Sequence, residues 1–360
     1  MSAQGTGFGE RPVLALVGAS GAVGKVMREV VSARPGIWGE VRLVASARSA
    51  GKLLPVLGEQ VKVVELAAGV FDGVDIAMFD VPDEVSAVWA PQAAARGVVV
   101  IDKSGAFRMD HEVPLVVPEV NPEAAFARPK GIISVPNCTT LSMILVIGVL
   151  HQRYRLRELF AASYQAASGA GQAGTEALYD QLAAVAGDRS LGQRPGDVRA
   201  RVGDTGPFPA PLALNVVPWA GSLRPDGWSS EELKIRNETR KILGVDDLRI
   251  SATCVRVPVV TGHSLALHAT FDAEVDAGEA TKLLAEAPGV VVVDRPEAGE
   301  FPTPVDVAGT DPTLVGRIRR SMDDPHSLDL FVCGDNLRKG AALNAAQIAE
   351  LLVQAGLPAR

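Results

Sequence analysis

Apolar residues in the first part of the chain fall into short, nearly continuous runs: Val13–Val17, Val41–Ala45, Val61–Val64, Ile76–Phe79, Val98–Ile101 and Ile132–Val135. Unbroken β-branched runs of this length suit strands buried on both faces of a parallel sheet. A half-exposed strand would instead alternate apolar and polar positions. Helical periodicity fills several of the gaps, notably Val23–Ala33 and Glu84–Arg96. Strand and helix taken in turn predict a doubly wound α/β sheet over residues 1–137.

The pattern changes after Cys138. An apolar helix is predicted over Thr139–His151, then a strand at Leu159–Gln165 and a helix at Gly171–Ala186. Residues 187–218 are rich in Gly, Pro and Arg and show no period, so they read as a long loop. A helix over Glu231–Leu243, strands Leu248–Val257 and Ser264–Ala273, and a helix–strand pair within Glu279–Val293 follow. The looser alternation predicts a mixed or antiparallel sheet, an α+β domain spanning 138–339. A helical run of Ala, Leu and Ile, Gly340–Val353, is expected to pack back on the first domain.

Composition narrows what such a chain does. Its 360 residues suit two domains, and 47% hydrophobic content excludes a disordered chain. A net charge of −7 and 5% aromatic residues leave neither a basic field for nucleic acid or membranes nor a base-stacking surface. Any anionic ligand must therefore be held by local positive charge. The longest apolar stretch, Leu141–Leu150, is about half the ~20 residues a membrane helix needs. The amino terminus reads as a flexible tail without a secretory layout, which points to a cytoplasmic protein. Three widely spaced cysteines, Cys138, Cys254 and Cys333, suggest free thiols and no metal site.

Two motifs carry chemistry. The first strand runs directly into Gly18-Ala19-Ser20-Gly21-Ala22-Val23-Gly24 and a helix. Glycines at such a junction permit a tight turn and aim free N–H groups at a pyrophosphate. The second strand ends in Ser46-Ala47-Arg48-Ser49-Ala50-Gly51-Lys52, with cations and hydroxyls where an NAD site commonly has a carboxylate. Arg48 and Ser49 would suit a 2′-phosphate, which makes NADP the expected cofactor.

The second motif, Pro136-Asn137-Cys138-Thr139-Thr140, places a thiol at a helix start, where the dipole favours thiolate. His263 opens a strand, whereas His268, five residues on, points to the opposite face. Arg256 lies close enough in sequence to reach the same mouth. Arg108 follows a parallel strand and so belongs at a crevice of carboxyl ends. Ser229 and Glu232 form a capping-box pair at the helix that carries Glu231 and Lys234. Lys234 taken alone is an ordinary solvated lysine.

Seven stretches in order, GASGAVG, ASARSAGK, VPNCTT, SYQAASGAG, EELKIRNETRKIL, CVRVPVVTGHS and DNLRKGAALNAAQIAE, are spread along nearly the whole length of the chain. In these the chain resembles the aspartate-β-semialdehyde dehydrogenases. The resemblance implies a Rossmann-type dinucleotide-binding domain, completed by the carboxyl-terminal helix over 340–360, plus an α+β catalytic and dimerisation domain. It also implies NADP, a homodimer or homotetramer, and a small-molecule substrate in the biosynthesis of lysine, threonine, methionine and isoleucine. It makes Cys138 the acyl-forming nucleophile, Gln165 an orienting group and His263 the acid/base partner. Arg256 and Glu231 would hold the amino-acid end, and Arg108, Lys234 and Asn137 the phosphate. Ser168, Gly169 and Asn336 would approach the nicotinamide.

This chain departs from the family in Lys103 and Gly105, where Asn and Ser are common. The extra cation is expected beside the substrate phosphate. The nearest alternative is another acyl-phosphate reductase, such as N-acetyl-γ-glutamyl-phosphate reductase. The other is a non-catalytic NADP-binding paralogue.

Overall fold

The computed structural model describes residues 11–356. Most of the expected amino-terminal tail, and residues 357–360 of the carboxyl-terminal segment, lie outside the described residues. The chain divides into two compact units. The first takes the chain through Asn137, Lys241–Leu243 and the segment from Ala341 onward; the second takes Cys138–Arg240 and Gly244–Gly340.

The first unit contains strands β1 (Leu14–Val17), β2 (Val41–Ala45), β3 (Leu53–Val56), β4 (Glu59–Lys62), β5 (Val64–Glu65), β6 (Ile76–Phe79), β7 (Val99–Asp102) and β8 (Ile132–Ser134). Six of them form a sheet in the order β5-β2-β1-β6-β7-β8, and every pairing in it is parallel. The direction of winding reverses between β1 and β6, leaving a crevice at their carboxyl ends, where doubly wound folds bind ligands. β1 and β6 are buried throughout, as unbroken apolar runs require. Helices α1 (Ala22–Ser32) and α2 (Asp83–Ala94) connect strands, and the terminal helix Asn344–Gln354 belongs to the same unit. Asn344 donates to the Val116 carbonyl at 2.9 Å and Gln347 to Glu119 at 2.9 Å.

One expectation fails here. Val61–Val64 is not a buried parallel strand. Its first residues end β4, which pairs antiparallel with β3 in a separate two-stranded hairpin, and Val64 starts the short sheet-edge strand β5. The flanking Glu59, Gln60, Lys62 and Glu65 are exposed, which is compatible with a hairpin and an edge but not with a central strand.

The second unit opens with α3 (Cys138–Tyr154), then β9 (Leu156–Gln165), α4 (Gly171–Val185), α5 (Asp197–Val202), α6 (Ser230–Leu243), β10 (Arg249–Arg256), β11 (His263–Phe271), α7 (Ala277–Glu286), β12 (Val290–Val292), α8 (Pro304–Val307), β13 (Thr313–Arg320) and β14 (Ser327–Gly334). Its sheet is mixed, in the order β10-β9-β11-β14-β13-β12. β10 runs parallel to β9, while β11 runs antiparallel to both β9 and β14. The predicted loop over 187–218 contains one short helix, α5, whose amino-terminal Asp197 accepts from the amides of Gly192, Gln193 and Arg194. Strands β13 and β14 had no counterpart in the sequence reading.

No helix among the described residues is long and apolar enough to cross a membrane.

Candidate active site

Sheet register collects the reactive side chains of the second unit. Gln165 is the last residue of β9 and Arg256 the last of β10, and the two are paired partners in the parallel register. His263 is the first residue of the antiparallel β11. The carboxyl ends of β9 and β10 and the amino end of β11 therefore lie on one edge of the sheet. All three side chains are buried, His263 completely.

Cys138 begins the 17-residue helix α3, and its Sγ lies 3.3 Å from Nε2 of His263. The other ring nitrogen, Nδ1, accepts the Ala166 backbone N–H at 3.1 Å. A neutral ring whose Nδ1 accepts carries its proton on Nε2, so the imidazole presents N–H to the sulfur. Burial, reinforced by the nearby Arg256 cation and opposed by Glu231, pushes the His263 pKa down from 6.5 to about 3. The imidazole is therefore neutral at physiological pH. A thiolate at a helix amino terminus, facing an N–H donor, is stabilised twice.

The other two thiols differ. Cys254 and Cys333 are fully buried, and burial raises their pKa to about 12 and about 11. They are packing residues, as read from sequence.

The Ala166 peptide is bonded at both ends, because its carbonyl accepts from Arg256 Nη1 at 2.6 Å. Burial lowers the Arg256 pKa, while attraction to Cys138 and Glu231 pulls it back up. A side chain at Gly169 would bring its Cβ within 2.7 Å of Arg256 Nη1 and 3.1 Å of His263 Cε1. Only glycine leaves both groups undisturbed.

Gln165 Nε2 donates to Thr139 Oγ1 and lies 3.5 Å from Glu231 Oε2. Its Oε1 is a buried acceptor without a hydrogen-bond partner among the described residues. Thr139, next to Cys138, was not anticipated as a site residue, although its place in the Cys138 motif was a usable signal. Glu231 sits in the first turn of α6, and its Oε1 accepts from Lys234 at 2.6 Å. The predicted capping box is present: Ser229 accepts the Glu232 amide, and Glu232 Oε2 accepts the Ser229 amide at 2.8 Å. Glu232 Oε1 also accepts the Cys254 amide at 3.1 Å, fixing the start of α6 against β10. Asn336 exchanges hydrogen bonds with Ser168 and accepts the Gly262 amide at 2.9 Å, so both hold the entry to β11. His268, on the opposite face, pairs with Asp329 at 2.9 Å.

The remaining expected residues belong to the first unit. Gly18, after β1, has φ +95° and no room for a Cβ against the Asp80 main chain. A Cβ on Gly24 would meet the main chain of Gly18 and Ala19. No side chain caps α1, and its first turn holds no acidic residue. The amides of Ala22, Val23 and Gly24 thus start a helix with no intrahelical acceptor, as a bound phosphate requires. Ser20 Oγ donates to Ser49 Oγ at 3.0 Å, tying this turn to the end of β2, where Arg48 is exposed. Lys103 pairs with Asp80 at 2.6 Å. Arg108 is buried, with Nε on the Val135 carbonyl at 2.9 Å and Nη2 on that of Lys103 at 2.5 Å. Lys241 donates to the carbonyls of Arg108, Asp110 and Val113, each at 2.7 Å, and so fixes the loop after Arg108. Asn137 is buried at the end of this segment. No group of three or more potential metal ligands occurs among the described residues.

Known proteins with this arrangement are numerous. The family profile described as semialdehyde dehydrogenase, NAD binding domain, matches residues 13–127. The one described as semialdehyde dehydrogenase, dimerisation domain, matches 147–339. Aspartate-semialdehyde dehydrogenase of Corynebacterium glutamicum is 47% identical over 348 residues, 95% of this chain and 99% of that protein. The Bacillus subtilis enzyme of the same name is 39% identical, over 96% of this chain and 98% of its own. Among solved structures, aspartate semialdehyde dehydrogenase II of Vibrio cholerae, complexed with ASA, superimposes with a TM-score of 0.88 at 38% identity, covering 96% and 98% of the two chains. None of these relatives is an N-acetyl-γ-glutamyl-phosphate reductase. With a half-buried cysteine at a helix start facing a buried strand histidine, and this similarity along its length, the chain belongs to the aspartate-semialdehyde dehydrogenase family of oxidoreductases.

Proposed function

We propose that the chain catalyses the reversible reductive dephosphorylation of L-aspartyl 4-phosphate to L-aspartate 4-semialdehyde with NADP. That step feeds the biosynthesis of lysine and diaminopimelate, threonine, methionine and isoleucine. The observation that carries the reading is the 3.3 Å approach of Cys138 Sγ to His263 Nε2 at the amino terminus of α3.

The Cys138 thiolate attacks the acyl carbon, the C–O bond to phosphate breaks, and a thioester on Cys138 remains. Reduction of this thioester takes a hydride, which NADPH would supply when held by the glycine turn of the first unit. The resulting oxyanion accepts from the Nε2–H of His263, as the sulfur did before. Its collapse forms the aldehyde and releases sulfur as thiolate, so the cycle closes with no net proton on Cys138. Gln165, held through its amide nitrogen by Thr139, orients the reacting acyl group. Arg256 takes the substrate carboxylate and Glu231 its ammonium, each a charge-assisted contact in a desolvated site. Arg108, Lys234 and Asn137 receive the phosphate.

The glycine turn suits a dinucleotide: Gly18 and Gly24 let it close against the main chain of Asp80 and Ala19, and the uncapped start of α1 offers its amides to the pyrophosphate. The paired Ser20 and Ser49 hydroxyls beside exposed Arg48 suit a 2′-phosphate and favour NADP over NAD. Ser168, Gly169 and Asn336 are assigned to the nicotinamide half. A homodimer or a dimer of dimers is the proposed assembly, through the dimerisation domain. Three cysteines outside any disulfide suit a reducing cytoplasm.

The test is NADP reduction with L-aspartate 4-semialdehyde, with and without inorganic phosphate. Turnover should depend on phosphate and be much slower with N-acetylglutamate semialdehyde. Phosphate-independent turnover would sink the proposal.

A further inference from the structure

Lys103 was expected beside the substrate phosphate, and the structure directs its side chain elsewhere. We propose that Lys103 sets the affinity of the first unit for its dinucleotide, by neutralising Asp80 at the wall of the phosphate cradle. The inference rests on the NADP-binding part of the proposed function and adds a residue to it.

Asp80 is the first residue after β6, on the far side of the β1–β6 switch point from Gly18. Its amide donates to the Val17 carbonyl at 2.8 Å, which brings it directly against the turn. Gly18 has no space for a Cβ because the Asp80 main chain occupies it, and a Cβ on Gly21 would lie 3.9 Å from Asp80 Oδ2. A carboxylate therefore borders the turn whose free amides are offered to a pyrophosphate. Left alone, that carboxylate would repel the two phosphates and cancel much of the attraction of the α1 amino terminus.

Lys103 removes the conflict. It follows β7, and its amide donates to the Phe79 carbonyl at 3.0 Å, which fixes its backbone beside β6. Its ammonium lies 2.6 Å from Asp80 Oδ1, with the side chain only 8% exposed against 23% for Asp80. The pair leaves Oδ2 on the cradle side and Oδ1 on the lysine. The ammonium is thus committed to Asp80, whereas the contribution of Lys103 to Arg108 is made by its main-chain carbonyl, which any residue supplies. A charge change at position 103 should be read in dinucleotide binding rather than in phosphate use.

Direct titration of NADPH fluorescence in the full-length chain tests this without turnover. Lys103→Asn should weaken NADPH binding by about tenfold or more, a loss that grows as salt is lowered. Asp80→Asn should bind NADPH at least as tightly as the parent chain. The double variant, with both charges gone, should recover to within about threefold of the parent. The KM for phosphate in K103N should stay within about twofold, because the contact to Arg108 is made by the main-chain carbonyl of residue 103, which the substitution keeps. Unchanged NADPH affinity in K103N overturns the proposal, as does a loss that the double variant fails to recover or an effect confined to phosphate. If the parent chain binds NADPH but does not turn over the semialdehyde, the proposed reaction fails while this inference is still decided. If the parent chain does not bind NADPH, the cofactor reading itself is wrong.

Discussion

The two units prepare for anions in opposite ways. In the first, the binding surface is backbone: glycines remove side chains, and an uncapped helix start supplies amides. In the second, it is mostly buried side chains held by neighbours, such as His263 by the Ala166 amide and Gln165 by Thr139. A backbone site fails when atoms are added. A side-chain site fails when atoms are removed or when a supporting neighbour moves. A buried polar group deprived of its partner carries the full desolvation penalty, so loss of a supporting neighbour in the second unit is costly.

The sharpest way to separate the units is Cys138→Ala. Loss of the nucleophile should lower phosphate-dependent turnover by at least ~10³-fold. NADPH binding to the first unit should be unaffected, and a combined loss would show that the division of labour is wrong. Gly169→Ala adds one carbon to the side-chain site. With Arg256 and His263 both forced to shift, kcat should fall by about 10–100-fold, since misplacement of ~1 Å can cost about 10²-fold. A drop in thermal stability of about 1–3 kcal/mol should accompany it, read from denaturant unfolding.

Arg48→Leu tests the first unit instead. Loss of a charge-assisted contact should raise the KM for NADP by about tenfold while NAD is used as before, which shrinks the preference between them. An equal effect on both cofactors would place Arg48 away from the 2′-phosphate.

The smallest effect concerns pH. Below its ordinary value of 6.5 the unfolded chain binds a proton at His263, whereas the folded chain does so only near 3. Over that window the unfolded state carries more protons, so stability falls as pH falls. His263→Asn should flatten the acid limb of the stability–pH curve by up to one proton between those values, and an unchanged slope would mean the ring is not buried neutral.

Several of these features were legible in the chain. The β1 glycine motif, the Arg48 turn, the capping box of Ser229 and Glu232, and Cys138 at a helix start are all local, and local steric and hydrogen-bonding rules specify them. What failed was also local in kind. Val61–Val64 reads as a buried strand because apolar content does not say whether a segment lies at a sheet's centre or in a hairpin. β13 and β14 contain Arg317, Arg319, Arg320 and Asp329, which break the apolar pattern that marks a strand. Thr139 and Asp80 gave only the signal of adjacency, to a nucleophile and to the end of a strand. Lys103 stood out as a departure, but its ion pair was not anticipated because nothing in the sequence aligns it with Asp80.

The sequence by itself determined the fold class, the glycine turn between β1 and α1, and the placing of one cysteine at a helix start. These depend on hydrophobic period, glycine placement and helix ends, all encoded within a few residues. Tertiary structure decided the rest. Register alone brings Gln165, Arg256 and His263 to one sheet edge, and the Ala166 amide alone chooses which imidazole nitrogen carries the proton. Contacts between residues far apart in the chain settle protonation and charge pairing, because these depend on distance and desolvation rather than on order along the chain.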